Sequence, residues 1–123
     1  MSDMSNNQGV LFLRIKLGKS KWFKIGYEKI WVHLFWKVFT DGKYVGQIEN
    51  GEPNGQGTFT FPDGEKYKGK FKDGEYHGQG KLTYPDGRKY EGEWKNGREW
   101  NGTGYNKNGE IGVRFVNGKM IEQ

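Results

Sequence analysis

Between Tyr67 and Phe71 apolar or small residues alternate with lysine: Tyr67, Gly69 and Phe71 against Lys68 and Lys70. A period of two predicts a β-strand with one face buried and one exposed. Lys72-Asp73-Gly74 predicts a turn, and residues 80–84 the returning strand. Pro85-Asp86-Gly87 then predicts a type I turn, with Pro fixing φ at its second position and Gly ending it. Pro62-Asp63-Gly64 predicts the same turn earlier in the chain. Gly69 and its equivalent Gly92 fall on the buried face. A missing side chain there makes room for an aromatic neighbour or for close backbone approach, so Gly69→Val is expected to overpack the sheet.

The two ends carry different patterns. Leu11, Leu13, Ile15 and Leu17 alternate with Phe12, Arg14 and Lys16, which predicts a half-buried strand. Gly18-Lys19-Ser20 reads as its turn and residues 21–25 as a second strand, together an N-terminal cap hairpin. Residues 30–39 read either as a strand, from their β-branched and aromatic content, or as a short helix. Near the C-terminus residues 112–116 predict a short strand ended by Asn117-Gly118.

The hairpin pattern repeats. Tyr44, Tyr67 and Tyr90 are spaced by 23 residues, and Gly recurs at offsets 2, 7, 11, 13 and 20 in the first two units. The third unit departs: Gly102 and Gly104 come one residue late, and the Pro-Asp-Gly turn is missing. The pattern Tyr-x-Gly-x-(aromatic or aliphatic)-x-x-Gly-x-x-x-Gly-x-Gly, closing on Pro-Asp-Gly, resembles the MORN repeat family. Phe71 and Trp94 fit that family's aromatic position, whereas Ile48 departs from it. The resemblance implies antiparallel hairpin arrays that serve as binding or scaffolding modules, with lipid binding, self-association and protein binding as the roles proposed for such repeats.

The expected architecture is an all-β, elongated single sheet of antiparallel hairpins, with an N-terminal cap segment and at most one short helix. Its expected segments are a disordered N-terminus (1–9), a basic, aromatic-rich cap (10–43), repeats at 44–66, 67–89 and 90–110, and a C-terminal strand and tail (111–123).

Composition narrows the classes. Gly makes up 21 of 123 residues and Ala is absent, which disfavours helical bundles and doubly wound α/β folds. No cysteine is present, which removes disulfides, thiolate metal sites and Cys nucleophiles. The net charge of +5 arises wholly within residues 1–43, since residues 44–123 carry equal numbers of Lys/Arg and Asp/Glu. No apolar run approaches the roughly 20 residues of a membrane span. The polar start lacks the features of a signal peptide, so the expected location is cytoplasmic, with peripheral membrane attachment as the alternative.

Chemistry-bearing motifs are sparse. Asn54-Gly55-Gln56-Gly57 and His77-Gly78-Gln79-Gly80 lack the further residues of a dinucleotide or phosphate loop and read as turn glycines. Asp63, Glu65 and Asp86 read as turn carboxylates rather than calcium ligands or an acid–base pair, and His77 has no triad partner in the sequence. No catalytic residue, cofactor, metal or small-molecule substrate is expected.

Two binding features remain. Lys66, Lys68, Lys70 and Lys72 point to one side of one strand. A basic arm carries Arg14, Lys16, Lys19, Lys21, Lys24, Lys29 and Lys37 beside Trp22, Trp31 and Trp36. Either suits an anionic surface; the bland readings are a solvated face and a packed cap. An apolar face of Tyr44, Ile48, Tyr67, Phe71, Tyr90 and Trp94 is assigned a structural role. The favoured function is a non-catalytic scaffold that binds another protein or itself. The alternative is a peripheral membrane module using Lys19, Lys21, Lys24 and the Lys66–Lys72 ladder. Nucleic acid ranks below both.

Overall fold

A computed structural model describes residues 8–16, 19–23 and 40–122. These residues form one antiparallel sheet of ten strands and contain no helix. The strands are β1 (Gln8–Lys16), β2 (Lys19–Phe23), β3 (Gly42–Glu49), β4 (Glu52–Thr60), β5 (Lys66–Lys72), β6 (Glu75–Thr83), β7 (Lys89–Lys95), β8 (Arg98–Tyr105), β9 (Ile111–Val116) and β10 (Lys119–Glu122). Their spatial order is β10-β9-β8-β7-β6-β5-β4-β3-β1-β2, so the sheet is open, with β10 and β2 at its edges.

Three corrections concern the ends. The first strand starts at Gln8, inside the segment expected to be disordered. The second begins at Lys19 rather than Lys21, because Lys19 pairs with Lys16 instead of sitting in the turn. The C-terminal tail is itself a strand, β10, and Asn117-Gly118 is a hairpin turn rather than a stop. Residues 30–39, read as strand or short helix, lie outside the described residues.

Each repeat is a hairpin closed by two residues in the left-handed region, such as Asp73 (φ 51) and Gly74 (φ 82). Asn50-Gly51, Asn96-Gly97 and Asn117-Gly118 match it. That geometry is the type I′ turn, whose twist suits the flanking strands. Successive hairpins join through longer, five-residue loops, where Gly87 N–H donates to the Tyr84 carbonyl (3.0 Å) and Tyr84 N–H to the Arg88 carbonyl (2.8 Å). The third unit makes the same loop without Pro-Asp: the Asn106 side-chain oxygen accepts from the N–H groups of Asn108 (2.9 Å) and Glu110 (3.0 Å).

A row of glycines crosses the sheet through Gly9, Gly46, Gly57, Gly69, Gly80, Gly92 and Gly102, each paired with the next. The tyrosines lie over this row. The ring of Tyr67 occupies the space of a side chain at Gly80, as Tyr44 does at Gly57 and Tyr90 at Gly102. At Gly69 and Gly92 the expected close backbone approach is what the structure shows. A Cβ at either would first meet the backbone of the neighbouring strand, at 2.5 Å, because paired glycines let two strands approach closely there. Each tyrosine hydroxyl then donates to a carbonyl three residues on: Tyr44 to Gln47 (2.6 Å), Tyr67 to Lys70 (2.8 Å) and Tyr90 to Glu93 (3.1 Å).

Candidate functional site

The sheet offers two faces and two edges, and its residues divide sharply among them. The inner face is an aromatic spine. Tyr44 meets Phe71 edge-on at 4.8 Å, Phe71 meets Tyr67 at 5.0 Å, Tyr67 meets Trp94 at 5.4 Å, and Trp94 meets Tyr90 at 5.0 Å. Trp22 continues the chain at one end and Phe115 at the other. Such edge-to-face pairs contribute about 0.5–1.5 kcal/mol each beyond their area burial. Tyr44, Tyr67, Phe71, Tyr90 and Trp94 are buried, and Ile48 packs half-buried against them. Burial raises the Tyr44 and Tyr90 phenols to about 12, and holds Tyr67 and Tyr76 higher still. These phenols are neutral at physiological pH, and the hydroxyls of Tyr44, Tyr67 and Tyr90 serve the backbone.

Two recesses remain on this face. One, of about 250 Å³, lies beside Trp22 and is lined by Leu13, Ile15, Phe61 and Tyr76. The other, of about 390 Å³, lies beside Tyr90, Val113, Phe115 and Met120. It coincides with a gap in the repeat: Phe59 faces Tyr44 and Leu82 faces Tyr67, but Gly104 faces Tyr90.

The outer face collects the cations. Lys66, Lys68, Lys70 and Lys72 are exposed along β5, and Lys81 on β6 stands directly opposite Lys68. None of these five forms an ion pair among the described residues. Lys19 and Lys21 on β2 belong to the same face, because Lys21 pairs with Arg14, which alternates with the core residues Leu11 and Leu13. The described part of the basic arm and the lysine ladder therefore share one side of the sheet. Lys24 lies outside the described residues. Segment-by-segment charge counting missed this: the repeats are neutral overall, yet many of their carboxylates sit in turns. Asp63 accepts from Glu65 N–H (2.8 Å), and Asp86 accepts from the Arg88 backbone (3.0 Å) and guanidinium (2.8 Å). The Arg88 backbone N–H, foremost, and its guanidinium hold the Asp86 carboxyl below its usual range. Burial, reinforced by Asp63, pushes the Glu65 carboxyl up. Among the described residues no three His, Asp or Glu side chains converge as a metal site would require.

The edges differ from each other. β2 carries Lys19 and Lys21, whereas β10 carries Met120 (62% exposed) and Ile121 (48%). Six large apolar side chains are exposed among the described residues, and four of them, Ile111, Val116, Met120 and Ile121, lie on β9 and β10. Sequence reasoning missed Met120 and Ile121 by taking Asn117-Gly118 as an end. That dipeptide, with apolar residues on both sides, is the strongest short hairpin marker and would have revealed β10.

No helix among the described residues is long and apolar enough to cross a membrane. No curated protein matches this sequence. The MORN repeat model matches residues 44–66, 67–87 and 90–100. The first two segments span the hairpins β3–β4 and β5–β6, and the third covers β7 and the start of β8. The chain is therefore a MORN-repeat protein.

Proposed function

We propose that this chain is a non-catalytic scaffold that binds protein through the C-terminal edge of its sheet. MORN repeats are in general interaction or membrane-binding modules. The observation that favours protein here is the pairing of an open strand edge with four exposed apolar side chains on β9 and β10. An unpaired edge supplies backbone donors and acceptors, and neighbouring apolar groups supply area that loses water on docking. The aromatic face is not available for this role, since its rings are spent on the spine.

A second reading is favoured by the outer face. Lys19, Lys21, Lys66, Lys68, Lys70 and Lys72 lie on one side with no carboxylate at ion-pair distance among the described residues, although Glu75 stands across the hairpin from Lys72. That arrangement suits an anionic lipid surface. Co-sedimentation with vesicles of phosphatidylserine and phosphatidylcholine at two salt concentrations separates the readings. The protein-binding reading expects little pelleting of the chain, together with binding of a labelled extended peptide of alternating Val and Thr that is lost on Met120→Pro. Tight, salt-sensitive pelleting abolished by Glu at positions 66, 68, 70 and 72, with no peptide binding, establishes the membrane reading instead.

A further inference from the structure

We infer that the recess beside Trp22 is a cage for a quaternary ammonium cation, filled by a trimethylated lysine of a partner peptide. The site lies on the inner face and does not depend on the reading of β10. Its walls are aromatic rings set close to right angles. Phe59 meets Trp22 at 5.6 Å and 82°, and Phe61 at 4.8 Å and 88°, while Phe71 meets Tyr76 at 5.6 Å and 78°. All five rings line the recess, and Leu13 and Ile15 complete its apolar surface. Rings so arranged enclose a volume from several sides, and a cation held against ring faces is attracted by their quadrupoles.

Charge at the recess has one sign. Glu75 lines it, and a carboxylate oxygen of Glu75 lies 3.9 Å from where a side chain on Gly97, another lining residue, would begin. At the same margin the Glu52 carboxylate and the Trp22 indole nitrogen both approach Gly74, at 3.7 and 3.3 Å from where its side chain would begin. No lysine or arginine lines the recess, and neither glutamate forms an ion pair among the described residues. Glu65 adds negative charge near Tyr76, where, after burial, it raises the phenol further. The recess beside Tyr90 differs, because Arg88 and Lys89 line it and repel a cation.

Size and chemistry select the ligand. A volume of about 250 Å³ is less than the roughly 300–1,000 Å³ of a drug-sized ligand site, and suits one side-chain head with part of its stem. An unmethylated ammonium brings three N–H donors, and aromatic walls leave donors unpaired at a cost. Methylation removes those donors and keeps the charge. A choline headgroup offers the same cation but carries a phosphate, which Glu52 and Glu75 repel. A lysine stem has no such anion, and its methylenes can lie along Leu13 and Ile15.

Fluorescence polarisation of the full chain with a labelled Gly-Ser peptide carrying one central lysine tests this. The lysine is supplied unmodified, trimethylated, or as the uncharged tert-butyl isostere of the trimethylated form. The trimethylated peptide should bind about tenfold more tightly than either of the others. Phe61→Leu should weaken that binding about tenfold and Glu75→Gln about threefold, with both variants folded by circular dichroism. Equal binding of all three peptides, or binding of none, overturns the inference. So does a preference for the trimethylated form that survives both variants, or phosphocholine that competes as strongly as the peptide itself. The labelled strand peptide of alternating Val and Thr should bind both variants as it binds the parent, so its failure to bind the parent bears on the β10 reading alone.

Discussion

The two edges of this sheet solve the same problem differently. β2 is held by side-chain packing: Trp22 meets Phe59 at 5.6 Å and Tyr44 at 6.3 Å, edge-on to both. Asp41 also ties the β1 side of that hairpin, accepting from Ile15 N–H (2.6 Å) while its own N–H donates to Leu13 (2.8 Å). The outward strand is then guarded by Lys19 and Lys21. Among the described residues β10 has neither device: its four residues pair with β9 alone, and Met120 and Ile121 are exposed. Among the described residues, one end of the repeat array is packed and lysine-guarded, and the other presents an apolar edge. A meander that grows by hairpins always leaves two edges, so the treatment of each edge, more than the repeats between them, individualises the protein.

The sharpest way to break that comparison is to destroy what both edges share. Gly80→Val forces the Tyr67 ring out of the space it fills. It should cost about 3 kcal/mol or more and lower the urea midpoint, with both ends unfolding together. Next in size is the difference between the edges themselves. Trp22→Ala should cost about 2 kcal/mol, because a half-buried ring leaves the core. Met120→Ala should change the stability of the dilute chain by less than about 0.5 kcal/mol.

Alkali offers a gentler probe of the spine. The folded Tyr44 and Tyr90 phenols ionise near 12, above the ordinary 10 they regain on unfolding. Their stabilisation is complete below about pH 10 and fades as pH rises toward about 12. Urea midpoints should hold level up to about pH 10 and fall beyond it. Phenolate absorbance of the native chain should lag that of the denatured chain over the same interval. The smallest effect concerns the guards. Lys19→Thr with Lys21→Thr should leave the melting temperature unchanged and permit weak association through β2, visible as slow growth in light scattering.

Much of this was legible in the residues. The 23-residue spacing of Tyr44, Tyr67 and Tyr90 and the period of two in β5 are local patterns, and they define the hairpins correctly. What escaped was non-local. Register decides that the Tyr67 ring lies over Gly80, with its hydroxyl alone reaching Gly69, and register depends on pairing between strands. The third unit looked defective because it lacks Pro-Asp, yet Asn106 supplies the same loop through its own side chain. The neutrality of residues 44–123 concealed a lysine-rich outer face, since counting charges along a segment averages strands with turns. The exposed pair on β10 was hidden by reading Asn117-Gly118 as a stop.

The central claim is that the two edges are treated oppositely, β2 packed and guarded by lysine, β10 apolar and held among the described residues by β9 alone. Backbone hydrogen exchange with and without the labelled strand peptide reads it residue by residue. The Met120 and Glu122 amides should exchange quickly in the free chain and become protected as the peptide is added, while those of Ser20 and Trp22 on β2 stay unchanged. Peptide-dependent protection at Ser20 and Trp22, or none at Met120 and Glu122, would contradict the account.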